Sequence, residues 1–195
     1  MTDAKLNIAI EKAQLYINQM TDLMHDISHF ERVYVYAQEI AKSEKEVDYD
    51  VLTLAVWWHD VGRLYIAKGH PQKSSEMARQ DLTELGFEVN FIDKVCEVIE
   101  THSGSTIPTT IEGKILKDAD KLDFLTPARW EFAIKNKQTA GIEAGIKKIP
   151  IIRDEILSLN KSKTIFDELF KDLKNYAATV DDDFFKDYKK IVLTF

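Results

Sequence analysis

The sequence predicts an all-α protein, a single-domain helical bundle, on three observations. Apolar residues recur at three- and four-residue intervals along almost the whole chain, which is the period of an α-helix. Seven glycines and four prolines are too few to punctuate an all-β fold full of tight turns. Hydrophobic residues make up 45% of the 195, enough to fill one substantial core.

Taken in order, the pattern predicts helices over 3–20, 28–43, 48–61, 72–86, 89–102, 110–124, 127–137, 140–159, 163–178 and 182–192. The first, "KLNIAIEKAQLYINQM", is apolar but repeatedly interrupted by charged and amide groups. It therefore reads as amphipathic, not as a signal or a membrane span. Ser28 with Glu31 makes a capping-box pattern before the second helix, and Thr109 with Glu112 makes another before the sixth. The third helix is uncharged from Val51 to Trp58 and runs straight into His59 and Asp60. Adjacent tryptophans point in different directions on a helix, so at least one of Trp57 and Trp58 belongs to the core. Gly62, Gly86 and Gly104 fall where helices should stop. Asp181–Phe185 ("DDDFF") opens the last helix, where carboxylates suit the helix dipole. Residues 1–195 are expected to form one domain, with 126–195 as additional C-terminal helices packed on the core. Cys96, set among Val95, Val98 and Ile99, reads as a core thiol.

Charge is unevenly divided. The net is −7, but residues 1–125 hold 13 basic and 22 acidic side chains and residues 126–195 hold 13 and 11. An acidic half is either a solvated surface or a site neutralised by bound cations. No basic run is long enough for a nucleic-acid groove, and no segment suggests a membrane. One cysteine excludes an intramolecular disulfide and fits a cytoplasmic setting.

All five histidines lie between residues 25 and 102. His29 falls on the line of Val33, Ala37 and Ile40, so it faces inward. His59 and Asp60 end an apolar helix, and His102 continues the line of Val95 and Ile99. In "IEGKILKDADKLDFL", Leu116, Asp120 and Phe124 share a face. That points Asp120 inward, with Asp123 one turn later, and turns Asp118 toward solvent. Burying a carboxylate or a lone imidazole without a partner is costly, and a divalent metal would resolve that cost for all of them at once. No phosphate-cradling glycine loop, serine-nucleophile elbow or zinc-finger spacing is present.

A histidine in "HDISHFERV", then "WWHDVGR", then an aspartate in "KILKDADKLDFL" resembles the HD-domain metal-dependent phosphohydrolases, whose signature is H…HD…D on an all-helical scaffold. The resemblance covers roughly residues 22–125, the expected metal-binding core. Carried over position by position, it implies His29, His59, Asp60 and Asp120 as metal ligands, with Asp60 also assigned to catalysis. "GHPQKSSEMA" and "IETHSGS" occupy the places where some HD subfamilies carry two more histidines for a second metal, and His70 and His102 match those places. His70, on a loop flanked by Gly69 and Pro71, is either such a ligand or solvent-exposed. His25 belongs to the "HDxxH" form, where it would support His29, line the pocket or simply be exposed.

The resemblance thus implies an enzyme holding one or two divalent ions (Mn, Fe, Mg, Co, Ni or Zn). It would cleave a phosphoester or phosphoanhydride of a small molecule, a nucleotide first among candidates, by a metal-activated water. Phosphate also needs cationic groups, and Arg63, Lys73 and Lys121 lie nearest the motifs as substrate-binding candidates. Lys73 and Lys121 read more readily as surface salt-bridge partners. Arg32 near His29, together with His25 and Asp123, would support the ligands from behind. Two rival functions share these residues: a di-iron oxygenase of the HD type, and a non-catalytic metal- or nucleotide-binding regulatory module. A homo-oligomer is compatible with the sequence.

Overall fold

The computed structural model describes residues 3–104, 106–183 and 185–194, including every side chain but those of 139–141 and 144. Among the described residues every regular element is helical, as the periodicity predicts. The chain divides into two compact units, Met1–Ala119 and Asp120–Phe195.

The first unit holds α1 (Asp3–Ile17), α2 (Ile27–Ala41), α3 (Tyr49–Trp58), α4 (His70–Glu84), α5 (Val89–Thr101) and most of α6 (Ile111–Asp123). Short 3-10 turns lie at Leu23–His25 and Val61–Leu64. Helix α3 is the centre of this unit. Every residue from Val51 to Trp58 is buried, because a helix apolar all round can satisfy itself only inside. It packs against α1, α2 and α5, while α4 packs along α5. Both Trp57 and Trp58 are core residues. Trp57 stacks on Phe30, and Trp58 meets Tyr16 edge-on, with ring centroids 5.9 Å apart. Asp48 caps α3 by accepting from Val51 N, and Glu112 accepts from Asp48 N at 2.7 Å, tying α6 to that start.

The helix starts differ from those predicted at two caps. Helix α2 begins at Ile27, and its cap is Asp26, whose carboxylate accepts from the backbone N–H of Ser28 and His29. A charged acceptor two residues upstream outcompetes the Ser28 hydroxyl, which itself donates to Asp26. Asp26→Ala is therefore expected to cost about 1 kcal/mol, and Ser28→Ala less, in paired urea midpoints. At α6 the cap is Thr110, which accepts from Gly113 N, while Thr109 donates to Glu97.

The second unit holds α7 (Pro127–Lys135), α8 (Thr139–Ile146), α9 (Ile149–Ile151) running into a wide π-turn at Ile152–Ile156, α10 (Asn160–Thr179) and α11 (Lys186–Thr194). Its core gathers on Trp130, which donates to Phe124 O and packs edge-on against Phe124 and Phe185. The single helix predicted over 140–159 is thus broken. Pro150 lacks an N–H and would clash with the carbonyl four residues before it, so α8 stops at Ile146 and Pro150 enters the first turn of α9. The last helix starts at Lys186, so Asp181–Asp183 precede it rather than open it; Phe184 lies outside the described residues. Among the described residues no helix is long and apolar enough to cross a membrane.

Candidate metal centre

In the first unit the chain brings together His25, His29, His59, Asp60, His70 and His102. His29, His59, Asp60, His70 and His102 are buried. His59 is the C-cap of α3, and His102 is the C-cap of α5. The last turn of a helix carries carbonyls without helical partners, and both rings use one. His59 Nδ1 donates to Val56 O at 2.7 Å, and His102 Nδ1 to Ile99 O at 2.6 Å. His70 is not on a loop. Gly69 takes a left-handed conformation (φ 85°), Pro71 fills the first turn, and His70 opens α4 with Nδ1 donating to Ala67 O at 2.8 Å. A carbonyl only accepts, so all three rings donate through Nδ1 and turn Nε2 away from their own helix ends; Arg63 Nη2 approaches His70 Nε2 at 3.4 Å.

Those nitrogens converge on Asp60. His70 Nε2 lies 2.8 Å and His102 Nε2 3.4 Å from Oδ1, while His59 Nε2 lies 3.7 Å and His25 Nε2 3.6 Å from Oδ2. Asp60 Oδ1 is fully buried, with only the His70 and His102 rings this close to it. Burial alone would push this carboxyl up; the field of His59 and the His102 and His70 side chains hold it well below the usual carboxylate range. His29 Nε2 stands 3.3 Å from His59 Nε2. Two donors on one tetrahedral cation with bonds of 2.0–2.1 Å are about 3.3–3.4 Å apart, and two on an octahedral cation about 2.9 Å. Ring nitrogens and carboxylate oxygens gathered at such distances fit a shared cation. His59, Asp60 and His102 form one set with donor atoms within 4.8 Å of one another, and His25, His29 and Asp60 form a second.

Arg63 lies beside this cluster. Its Nε donates to Asp60 Oδ2 at 2.7 Å, and its side chain keeps 21% exposure. Lys73 pairs with Glu76 at 3.0 Å on the surface. Arg32 donates to Ser28 Oγ, the hydroxyl beside the α2 cap. On the C-terminal end of α6, Asp120 opens the second unit and pairs with Lys121, and Asp123 is buried against the Arg129 guanidinium. Asp118 does not face solvent as its position on the predicted face implied. Helix α6 is enclosed on more than one side from Glu112 to Ala119, so apolar periodicity could not choose among its carboxylates.

Three supporting groups were not singled out from sequence. Asp22 accepts from His25 Nδ1 at 2.7 Å, and that pairing brings its own carboxyl down to about 2. Ser74 accepts from Gly62 N at 2.9 Å and locks the turn after Asp60 to α4. Lys117 donates to Gly104 O and Thr106 O, tying the chain beyond His102 to α6. An aspartate three residues before His25 was the one visible signal; the other two pairings join distant segments. Cys96 is buried with its sulfur near Ser75 O, and burial pushes its thiol up.

The HD domain family model matches residues 26–125, just over half of the chain. The uncharacterized protein MJ0778 of Methanocaldococcus jannaschii is 30% identical over 158 residues, 69% of this chain and 89% of that protein. The crystal structure of a "predicted HD superfamily hydrolase" from an uncultured Thermotogales bacterium is similar with a TM-score of 0.68 at 24% identity, over 88% of each chain. That of the Lin1889 protein from Listeria innocua has a TM-score of 0.63 at 22% identity, over 88% of this chain and 92% of the other. At those identities the two structures bear on the fold alone, while the family match and the archaeal relative bear on descent. The match of the HD domain family model over residues 26–125 places the chain in the HD-domain family.

Proposed function

We propose that the chain is a metal-dependent phosphohydrolase that cleaves a phosphoester or phosphoanhydride of a small molecule, a nucleotide first among candidates. The observation that carries this reading is the buried Asp60 carboxylate on which the Nε2 atoms of four histidines converge. A divalent cation supplies Lewis acidity there, lowering the pKa of water from about 15.7 toward 7. His29, His59, Asp60 and Asp120 would hold it, with His70 and His102 available to a second ion. Carbonyls that accept from Nδ1 of His59, His70 and His102 fix each ring with Nε2 turned toward Asp60, so this half of the donor set is pre-oriented. Arg63 is the group suited to the phosphate. It already neutralises Asp60 and retains exposed N–H donors, so it can turn a planar fork toward phosphoryl oxygens. Lys73 and Lys121 would extend that cationic rim.

The two histidines at Asp60 Oδ1 also suit a di-iron oxygenase, since six donors can hold two irons. One experiment separates these readings. Stripped protein is reloaded with Mn, Mg, Co, Ni, Zn or Fe, its metal content is measured, and a nucleotide panel is followed for phosphate and pyrophosphate release. Phosphate or pyrophosphate release with at least one metal is the expected result. Nucleotide binding without turnover under every metal would replace the enzyme by a regulatory module, and a mixed-valent iron signal with oxygen uptake would replace hydrolysis by oxidation.

A further inference from the structure

His25 is the one histidine of the cluster outside the H…HD…D signature and its second-metal extension, and its surroundings resemble a ligand's more than a supporting group's. Asp22 is the N-cap of the 3-10 turn Leu23–His25. One of its oxygens accepts from Met24 N, and the other takes His25 Nδ1 at 2.7 Å. That leaves the imidazole proton on Nδ1 and the lone pair on Nε2, the same polarity that backbone carbonyls impose on His59, His70 and His102. Nε2 points into the cluster, 3.6 Å from Asp60 Oδ2, which is beyond hydrogen-bond length. The ring meets His29 edge-on with centroids 5.2 Å apart. One donor atom each from His25, His29 and Asp60 lie within 4.8 Å of one another, the first two from the consecutive 3-10 turn and α2 and the third from just beyond the end of α3. An imidazole that only braced His29 would spend a hydrogen bond on it or on Asp60; the Asp22 carboxylate consumes the Nδ1 proton instead.

We propose that His25 binds the cation directly through Nε2, forming with His29 and Asp60 a three-donor face of the centre, and that Asp22 is the carboxylate that orients it. This rests on the reading that the centre holds a divalent ion. The ion completes a carboxylate–histidine–metal chain running from Asp22 at the surface to the buried Asp60.

The test uses the full chain, stripped of metal, labelled with 15N-histidine and titrated with Zn(II), with the His25 signals assigned from His25→Gln. On loading, His25 Nε2 is expected to move to a metal-bound shift together with His59 Nε2, while His25 Nδ1 keeps its proton. In Co(II)-loaded protein, His25→Ala should alter the visible ligand-field bands and weaken binding by more than about 100-fold. Asp22→Asn should weaken binding by about 10–100-fold, the usual range for a supporting group. If His59 shifts on loading while His25 Nε2 does not, His25 is no ligand and the metal reading stands. If neither histidine senses the ion, both this proposal and the metal reading fall.

Discussion

Asp60→Asn is expected to leave the chain without stoichiometric metal and without turnover, although the two side chains have nearly the same volume. The change removes the carboxylate charge on which four imidazole nitrogens converge. It also replaces an acceptor pair with one acceptor and one N–H₂ donor, and that donor would face Nε2 lone pairs or the cation itself. Losing a supporting group of a metal site costs about 10–100-fold in affinity, so losing the oxygen ligand common to both donor sets should cost more than about 100-fold. The effect reads out without any substrate. A cation that binds only the folded chain stabilises it by about 4 kcal/mol at a thousandfold excess over Kd. Wild-type protein should therefore unfold later with added metal, and at the same metal concentration a variant bound at least 100-fold more weakly should keep no more than about 1.4 kcal/mol of that stabilisation. A variant that retains full metal content would remove Asp60 from the centre and the proposed hydrolysis with it.

The helical class was legible because most faces here follow one period. In α2, the residues that share the His29 line, Val33, Ala37 and Ile40, are all fully buried, and α5 buries Val95 and Ile99 the same way. Periodicity fails where a helix is enclosed on several sides, which is why Asp118 was read as exposed. It also says nothing of which polar residue caps a helix, so the Ser28–Glu31 pattern does not reveal the Asp26 cap. At His70 the signal was present but read for its breakers. Gly69 with Pro71 is a start signal, since left-handed glycine turns the chain and proline fits the first helical turn. The metal-facing tautomers were not legible at all. They depend on Val56, Ala67 and Ile99 carbonyls, which every residue possesses and which matter here only because each stands three residues before a histidine.

Gly62→Ala should be the most damaging one-methyl change in the first unit. The glycine has an ordinary negative φ and is needed for space. A Cβ there would come within 2.6 Å of both His70 O and Ser74 N and within 2.9 Å of Lys73 Cβ. Two of those atoms are backbone in the first turns of α4, so no rotamer change relieves the clash. The helix start must move, or the turn after Asp60 must. Either movement strains the Gly62 N–H bond to the buried Ser74 hydroxyl, whose loss leaves a polar group unsatisfied at about 1–3 kcal/mol. Overpacking adds about 1–3 kcal/mol of its own, so a stability loss of about 2–6 kcal/mol, read from the denaturant midpoint, is expected. The displacement also carries His70 away from Asp60 Oδ1, now 2.8 Å off, while His59 and His29 remain on their own helices. Metal titration of the folded fraction should therefore show weakened binding, a loss that extra metal partly reverses. Ser74→Ala removes the same hydrogen bond without adding bulk and should reproduce only the smaller share of the stability loss. If Gly62→Ala matched wild type in both midpoint and metal affinity, the close approach of the HD turn to α4 would not be what holds His70 in the centre.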